Sequence, residues 1–182
     1  MNPAPCARGF LFRPMKRFAL LLGVLSSTLV LAQEKIQWMS IEEAYALTLN
    51  DENPKKIFVD VYTDWCGWCK RMDMATFQNE EVAAYMNAHY YNVKFDAEQK
   101  ESIEMLGNTF EFIPQGSRGY HELAAALLNG KMSYPTVVFL NSNFEMLSPV
   151  PGYQEPAAFM NVAKYFGDNI YKETSWQDYS QQ

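Results

Sequence analysis

Two short stretches of nearly unbroken apolarity stand out beyond residue 32. Residues 57–62 (IFVDVY) and 135–140 (PTVVFL) are β-branched and aromatic, the pattern of strands buried on both faces. Residues 91–96 (YNVKFD) alternate like a strand, and residues 35–39 and 145–150 read as two more. Between these runs the period changes to that of a helix. Ser40 and Glu43 fit a capping box for a helix with Ile41, Ala44, Tyr45, Thr48 and Leu49 on its apolar face, broken by Asp51-Glu52-Asn53-Pro54. A helix is expected from near Cys66, and another over residues 79–90 with Val82, Tyr85, Met86, His89 and Tyr90 inward. Residues 99–106 suggest a short helix, and 107–119 an irregular stretch holding Pro114, Gly116 and Gly119. Helical spacing returns at Tyr120, Leu123, Ala124, Leu127 and Leu128, stopped by Asn129-Gly130. Asn141-Ser142-Asn143 reads as a hairpin turn. A last helix over residues 155–171 would turn Phe159, Val162, Ala163, Phe166 and Ile170 inward, ahead of a polar, frayed tail over residues 174–182. The order β-α-β-α-(α)-β-α-β-β-α predicts an α/β fold with a mixed sheet flanked by helices.

The first 32 residues follow a different pattern. Lys16 and Arg17 precede an apolar run ending at Val30-Leu31-Ala32, which reads as a signal peptide cleaved after Ala32. The run is shorter than the ~20 residues of a membrane-spanning helix, although an uncleaved N-terminal anchor is the competing reading. Met15, directly before the basic pair, is an alternative start. The expected organisation is therefore a leader over 1–32, one domain over 33–173 and the tail. Export also changes the arithmetic. The whole chain of 182 residues carries 15 basic and 21 acidic side chains, a formal net charge of −6. Arg8, Arg13, Lys16 and Arg17 leave with the leader and no acid does, so the remainder holds 11 basic against 21 acidic groups, a net −10. Such a chain lacks the footprint of a general nucleic-acid binder. Hydrophobic content of 48% and 20% charged residues exclude a disordered or low-complexity protein. Cys6 leaves too, so three cysteines become the pair Cys66 and Cys69. The expected product is periplasmic or secreted, with no lasting membrane insertion.

Trp65-Cys66-Gly67-Trp68-Cys69-Lys70 follows a buried strand and opens a helix. Cysteines at i and i+3 lie on one side of a helix, close enough for both a dithiol and a disulfide. At a helix N-terminus the thiol pKa falls from about 8.5 to roughly 3.5–7.5, because unpaired N–H groups stabilise the thiolate. Cys66 occupies that position and Cys69 would be the resolving thiol. A static disulfide, half of a zinc site and two ordinary buried cysteines compete with this reading. Only His89 and His121 remain as zinc ligands, and neither has the spacing; both fit helical faces as structural residues. No metal site is expected.

The run of residues 58–70 resembles the active-site strand and helix of the thioredoxin superfamily. Tyr134-Pro135-Thr136 is similar to its cis-proline loop, and Gly152 to its glycine before the last helix. With Met72 and Thr76-Phe77 following, the likeness is greatest to secreted bacterial thioredoxin-like proteins, and it extends over about residues 35–172. The resemblance implies that Cys66 attacks a substrate disulfide, that Cys69 resolves the mixed disulfide, and that no metal or organic cofactor takes part. It implies a cis Pro135 presenting the backbone of Tyr134, whereas only about 5–6% of X–Pro bonds are cis and sequence alone favours trans. It implies that Asp60 is a buried acid assisting proton transfer at Cys69, with an outward-facing Asp60 as the alternative. Lys94 is either its partner or an exposed lysine on a sheet edge. Trp65, Gly67, Trp68, Tyr134, Thr136 and Gly152 would form the substrate surface, and Trp65 would also pack under the helix.

Trp68 stands where thioredoxin has proline, which leaves the potential open. Residues 98–130 form an insertion before the cis-proline strand, carrying Phe110, Phe112 and Ile113, either as a flap near the cysteines or as cover for the sheet edge. The function expected is an exported thiol–disulfide oxidoreductase acting on cysteine-containing exported proteins, with reduction, oxidation and isomerisation all open. A reductase would draw electrons from a membrane donor, since the chain has no GxGxxG fingerprint. The alternatives are a binding module whose CxxC is an inert disulfide and, less strongly, a metal carrier.

Overall fold

The structure is a computed structural model that describes Met1 and residues 34–181. Met1 apart, the leader expected over residues 1–32 lies outside the described residues. Five strands form the main sheet: β1 (Trp38–Met39), β2 (Lys56–Tyr62), β3 (Tyr90–Asp96), β8 (Thr136–Leu140) and β9 (Met146–Pro151), in the order β1-β3-β2-β8-β9. β3 runs parallel to both β1 and β2, while β8 is antiparallel to β2 and β9, so the sheet is mixed as the pattern predicts. β2 is central and β8 neighbours it. Their residues are buried on both faces, which is why both read as continuous apolar runs.

The two-residue period divides this burial between two layers. Ile57, Val59 and Val61 face α1 (Ile41–Asn50) and α4 (Glu122–Leu127), packing with Ala44, Leu123 and Leu127. Phe58 points the other way, with Val137 and Phe139, into α2 (Gly67–Met72), α3 (Glu80–His89) and α5 (Pro156–Gly167). Asp60 shares the parity of Phe58 and so lies on the side of the cysteine helix. The capping box of α1 is present, with Ser40 Oγ accepting from Glu43 N–H at 3.1 Å and Glu43 accepting from Ser40 N–H at 2.8 Å. Leu49, expected inward, is exposed because helix rotation turns it away from Ile41 and Ala44.

Several expectations fail in the insertion. Residues 99–106 are not helical: β4 (Ile103–Met105) pairs with β5 (Asn108–Phe110), and Leu106-Gly107 forms the turn at positive φ. The stretch 107–119 is likewise ordered, since β6 (Phe112–Gln115) pairs with β7 (Arg118–His121). Each strand is three or four residues long, too short to show a period. Tyr120 and Tyr90, both assigned to helices, lie in strands β7 and β3. The last helix stops at Gly167, and Ile170–Lys172 is a separate 3₁₀ turn. The tail does not fray: α6 (Trp176–Tyr179) folds back so that Trp176 and Tyr179 pack on Tyr165, whose hydroxyl donates to Thr174 O at 2.8 Å.

Candidate active site

β2 delivers the chain through Thr63, whose carbonyl accepts the N–H of Cys66 at 3.0 Å, into the start of α2. Cys66 is the N-cap residue, in extended conformation, and its sulfur accepts the N–H of Cys69 at 3.0 Å. The sulfurs form a disulfide with Cα atoms 5.3 Å apart. Burial differs little between them, at 5% and 3% exposure, so Cys66 is less open than its position alone suggests. In the reduced form the same N–H would point at a thiolate on Cys66. Beyond α2 the chain continues as a π-helical turn, Asp73–Phe77, an irregularity frequent at functional sites. Met72 and Phe77 anchor this turn in the core, while Thr76 Oγ1 donates to Gln154 O at 2.6 Å and ties it to the loop after β9.

That loop and the one before β8 frame the cysteines. The Tyr134–Pro135 peptide bond is cis. Gly152 N–H donates to Pro135 O at 2.8 Å, and Gly152 has φ 93°, a conformation a side chain would strain. Thr136 is buried and its hydroxyl donates to Ser133 O at 2.8 Å, so that group is spent within the loop. Gly67 is exposed at the first turn, with open space where a Cβ would stand.

Trp65 is 51% exposed and does not pack under the helix. Its ring meets Tyr134 edge-on at 5.9 Å, its indole N–H donates to Glu98 at 3.1 Å, and the guanidinium of Arg118 stacks 4.5 Å from it. The β6–β7 hairpin reaches Trp65 beside Cys66, as a flap would, whereas β4 and α4 bury Ile103, Met105 and Leu123 with Ile57, Val59 and Val61 of the central strand, on a face of the sheet rather than at its edge. Trp68, 57% exposed, leans on Tyr153 at 5.4 Å, with Arg71 over both rings.

Asp60 is 2% exposed and faces inward. Its Oδ2 accepts from Lys94 at 3.0 Å, and Lys94 also bonds Asp73 on the π-helical turn. Burial pushes the Asp60 carboxyl up to about 6, against the opposing pull of Lys94; Oδ1 has no partner. Burial works to lower the Lys94 ammonium, but the two carboxylates outweigh it and hold its pKa above the usual lysine value. His121 is fully buried and structural: its Nδ1 caps α4 by accepting Leu123 N–H at 3.2 Å, and its Nε2 meets Glu101 O at 3.1 Å. His89 stacks on Tyr85, well removed in sequence from the cysteine turn. Among the described residues no cluster of His, Cys, Asp and Glu could hold a metal ion.

The sequence reading missed Arg71, Asp73, Glu98, Arg118 and Tyr153. Arg71 had a signal, since it stands at i+3 from Trp68. The others reach the site through tertiary packing and had none.

Known proteins resemble this chain in structure and in sequence. A "DsbH Oxidoreductase" structure superposes with TM-score 0.53 at 24% identity over 77% of this chain and 90% of its own. A thioredoxin from Thermus thermophilus does so with TM-score 0.53 at 18% identity, over 72% and 87%. Both show the fold, a thioredoxin fold. Among curated proteins, "Disulfide bond reductase DsbH" of Chlamydia pneumoniae is 32% identical over 76 residues, 42% of this chain and 45% of that protein. Human "Spermatogenesis-associated protein 20" and the "Uncharacterized protein B0495.5" of Caenorhabditis elegans are each 30% identical over 69 residues, which span 8% and 10% of their lengths. The family model named Thioredox_DsbH matches residues 24–164, most of the chain and all of the elements around the cysteines. The chain belongs to that family, described as "Protein of unknown function, DUF255", within the thioredoxin superfamily.

Proposed function

We propose that the protein is an exported thiol–disulfide oxidoreductase that reduces disulfides in cysteine-containing exported proteins. The observation that carries this is the position of the Cys66 sulfur: it caps α2, receives the N–H of Cys69, and lies in a turn whose Trp65 touches Tyr134 beside the cis proline. A thiolate there is stabilised for attack, and the neighbouring loop offers backbone groups to an extended partner. In the proposed reaction the Cys66 thiolate attacks one sulfur of the partner disulfide, and the other sulfur leaves as a thiolate. Cys69 then gives up its proton, attacks Cys66 Sγ and releases the partner's second thiolate. The partner gains two electrons and the Cys66–Cys69 pair loses two, with Asp60 as the buried acid receiving the proton of Cys69. Two sulfurs suffice for this chemistry, so the reading needs no metal or organic cofactor; a membrane electron donor would restore the dithiol.

The reductive direction is supported by the Chlamydia relative, named a disulfide bond reductase. Export is supported by the leader pattern over residues 1–32; no helix of the described residues is long and apolar enough to cross a membrane. The test is Cys69→Ser expressed with its leader in a bacterial host. Reducible adducts through Cys66 should accumulate on exported proteins. A partner retained without any covalent adduct would instead make this a binding module. Direction is read from the potential of the pair: a value near about −270 mV fits a reductant and one near about −120 mV an oxidant.

A further inference from the structure

The two tryptophans beside the cysteines sit in different electrostatic surroundings. Around Trp65 the charges are mixed, with the Arg118 guanidinium 4.5 Å from its ring. Glu98 accepts its indole N–H, and Glu98 and Asp96 add to burial in pushing the Tyr134 phenol up to about 12. Around Trp68 they are basic. Arg71 lies with its guanidinium 5.7 Å from the Trp68 ring and 5.6 Å from the Tyr153 ring. Lys70 is its exposed neighbour. Attraction to ring faces restrains a guanidinium while leaving its N–H groups able to meet a carboxylate in a fork. Among the described residues no carboxylate comes within 4.0 Å of either Arg71 or Lys70, the ion pairs there being His89–Asp168, Lys94–Asp60 and Lys94–Asp73. What sets Arg71 apart from the other cations without a carboxylate is its place, over two aromatic rings and two residues beyond Cys69. Trp68 and Met74 add exposed apolar surface on the same helix and its continuation.

We propose that Arg71, placed over the Trp68 and Tyr153 rings, is a carboxylate subsite, and that the preferred partner is a polypeptide segment with Asp or Glu beside its disulfide-bonded cysteine. The inference rests on the redox reading above and adds the substrate class to it. A carboxylate next to a cysteine makes its thiolate harder to form and hence a poorer leaving group. Small thiols therefore reduce such disulfides slowly. Arg71 reverses that handicap by neutralising the charge as the mixed disulfide forms.

The test uses the reduced protein and two disulfide-bridged peptides that differ only in Glu or Gln beside the cysteine. Second-order rate constants are measured by stopped flow and each is divided by the rate with dithiothreitol. The normalised Glu-to-Gln ratio should be roughly three to ten at low salt and approach one at about 1 M salt, where the screening length is about 3 Å. Arg71→Gln should bring the ratio to one, and Arg71→Lys should restore part of it. A wild-type ratio at or below one, or a ratio unchanged in Arg71→Gln, overturns the subsite. Failure to reduce either peptide overturns the redox reading and the subsite with it, a result distinct from equal rates on both.

Discussion

Asp60 concentrates the physics of the site in one side chain. It lies in the middle of the central strand, where an unpaired charge is costly, and it meets Lys94, which it shares with Asp73. Its carboxyl is held at about 6 against 3.8 in the open chain, burial being the larger influence. An acid with a raised folded pKa binds its proton more tightly when folded. Its ionisation therefore costs stability as pH rises from about 4 through about 6, and stability at acid pH is favoured. Two units correspond to roughly 3 kcal/mol, so the wild type should lose about that much between pH 4 and 7.5 relative to Asp60→Asn. Denaturant midpoints of both proteins at the two pH values measure it. Parallel stability curves would show that Lys94 compensates the charge fully and that the carboxyl is ionised throughout. The family resemblance made the burial of Asp60 legible, since the IFVDVY run by itself left an outward-facing side chain open; the third member of the cluster was not legible, because Asp73 reaches Lys94 only through the π-helical turn.

Among the elements, the insertion departs furthest from a minimal thioredoxin fold, and its β6–β7 hairpin depends on Gly119. A Cβ there would collide with the Phe112 ring and the Ile113 carbonyl across the pair. Gly119→Ala should cost about 1–3 kcal/mol by forcing these strands apart. It should also release Arg118 from the Trp65 ring, seen as a change in tryptophan fluorescence with a lowered melting temperature. A variant with unchanged melting and emission would mean that the hairpin shifts without cost. Legibility here follows from length and burial. β2 and β8 declare themselves as unbroken apolar runs, α1 and α3 carry enough residues of the helical period, and the cysteine turn is marked by its own hexapeptide. The hairpins of 103–121 were unreadable because three- and four-residue strands with a proline at 114 show no period. The tail misled for another reason: Trp176 and Tyr179 are only two anchors among polar residues, and their partner Tyr165 lies in a different element.

For the whole molecule, the redox state and the folding equilibrium form one thermodynamic cycle. The four corners are folded and unfolded, dithiol and disulfide. Whatever the folded protein does to the potential of Cys66–Cys69 must reappear as a difference in stability between its oxidised and reduced forms. Two opposing effects meet at α2. The N–H of Cys69 and the helix N-terminus favour a Cys66 thiolate and so the reduced form. Against this, the pair is nearly buried, both cysteines being at or below 5% exposure, and the Asp60–Lys94–Asp73 cluster lies on the same side of the sheet. Burial disfavours a bare thiolate and favours the neutral disulfide. A strong oxidant is one whose reduced form is the more stable. The reductive role proposed here therefore requires the opposite: the oxidised protein should be harder to unfold than the dithiol. Each 30 mV by which folding lowers the potential corresponds to about 1.4 kcal/mol of that difference. Urea unfolding of the two forms, the reduced one under excess dithiothreitol at pH 7, measures the sign directly. A reduced form more stable than the oxidised one would assign the protein to the oxidants, and the same pair of curves, repeated with Asp60→Asn, shows how much of the difference is carried by the buried acid.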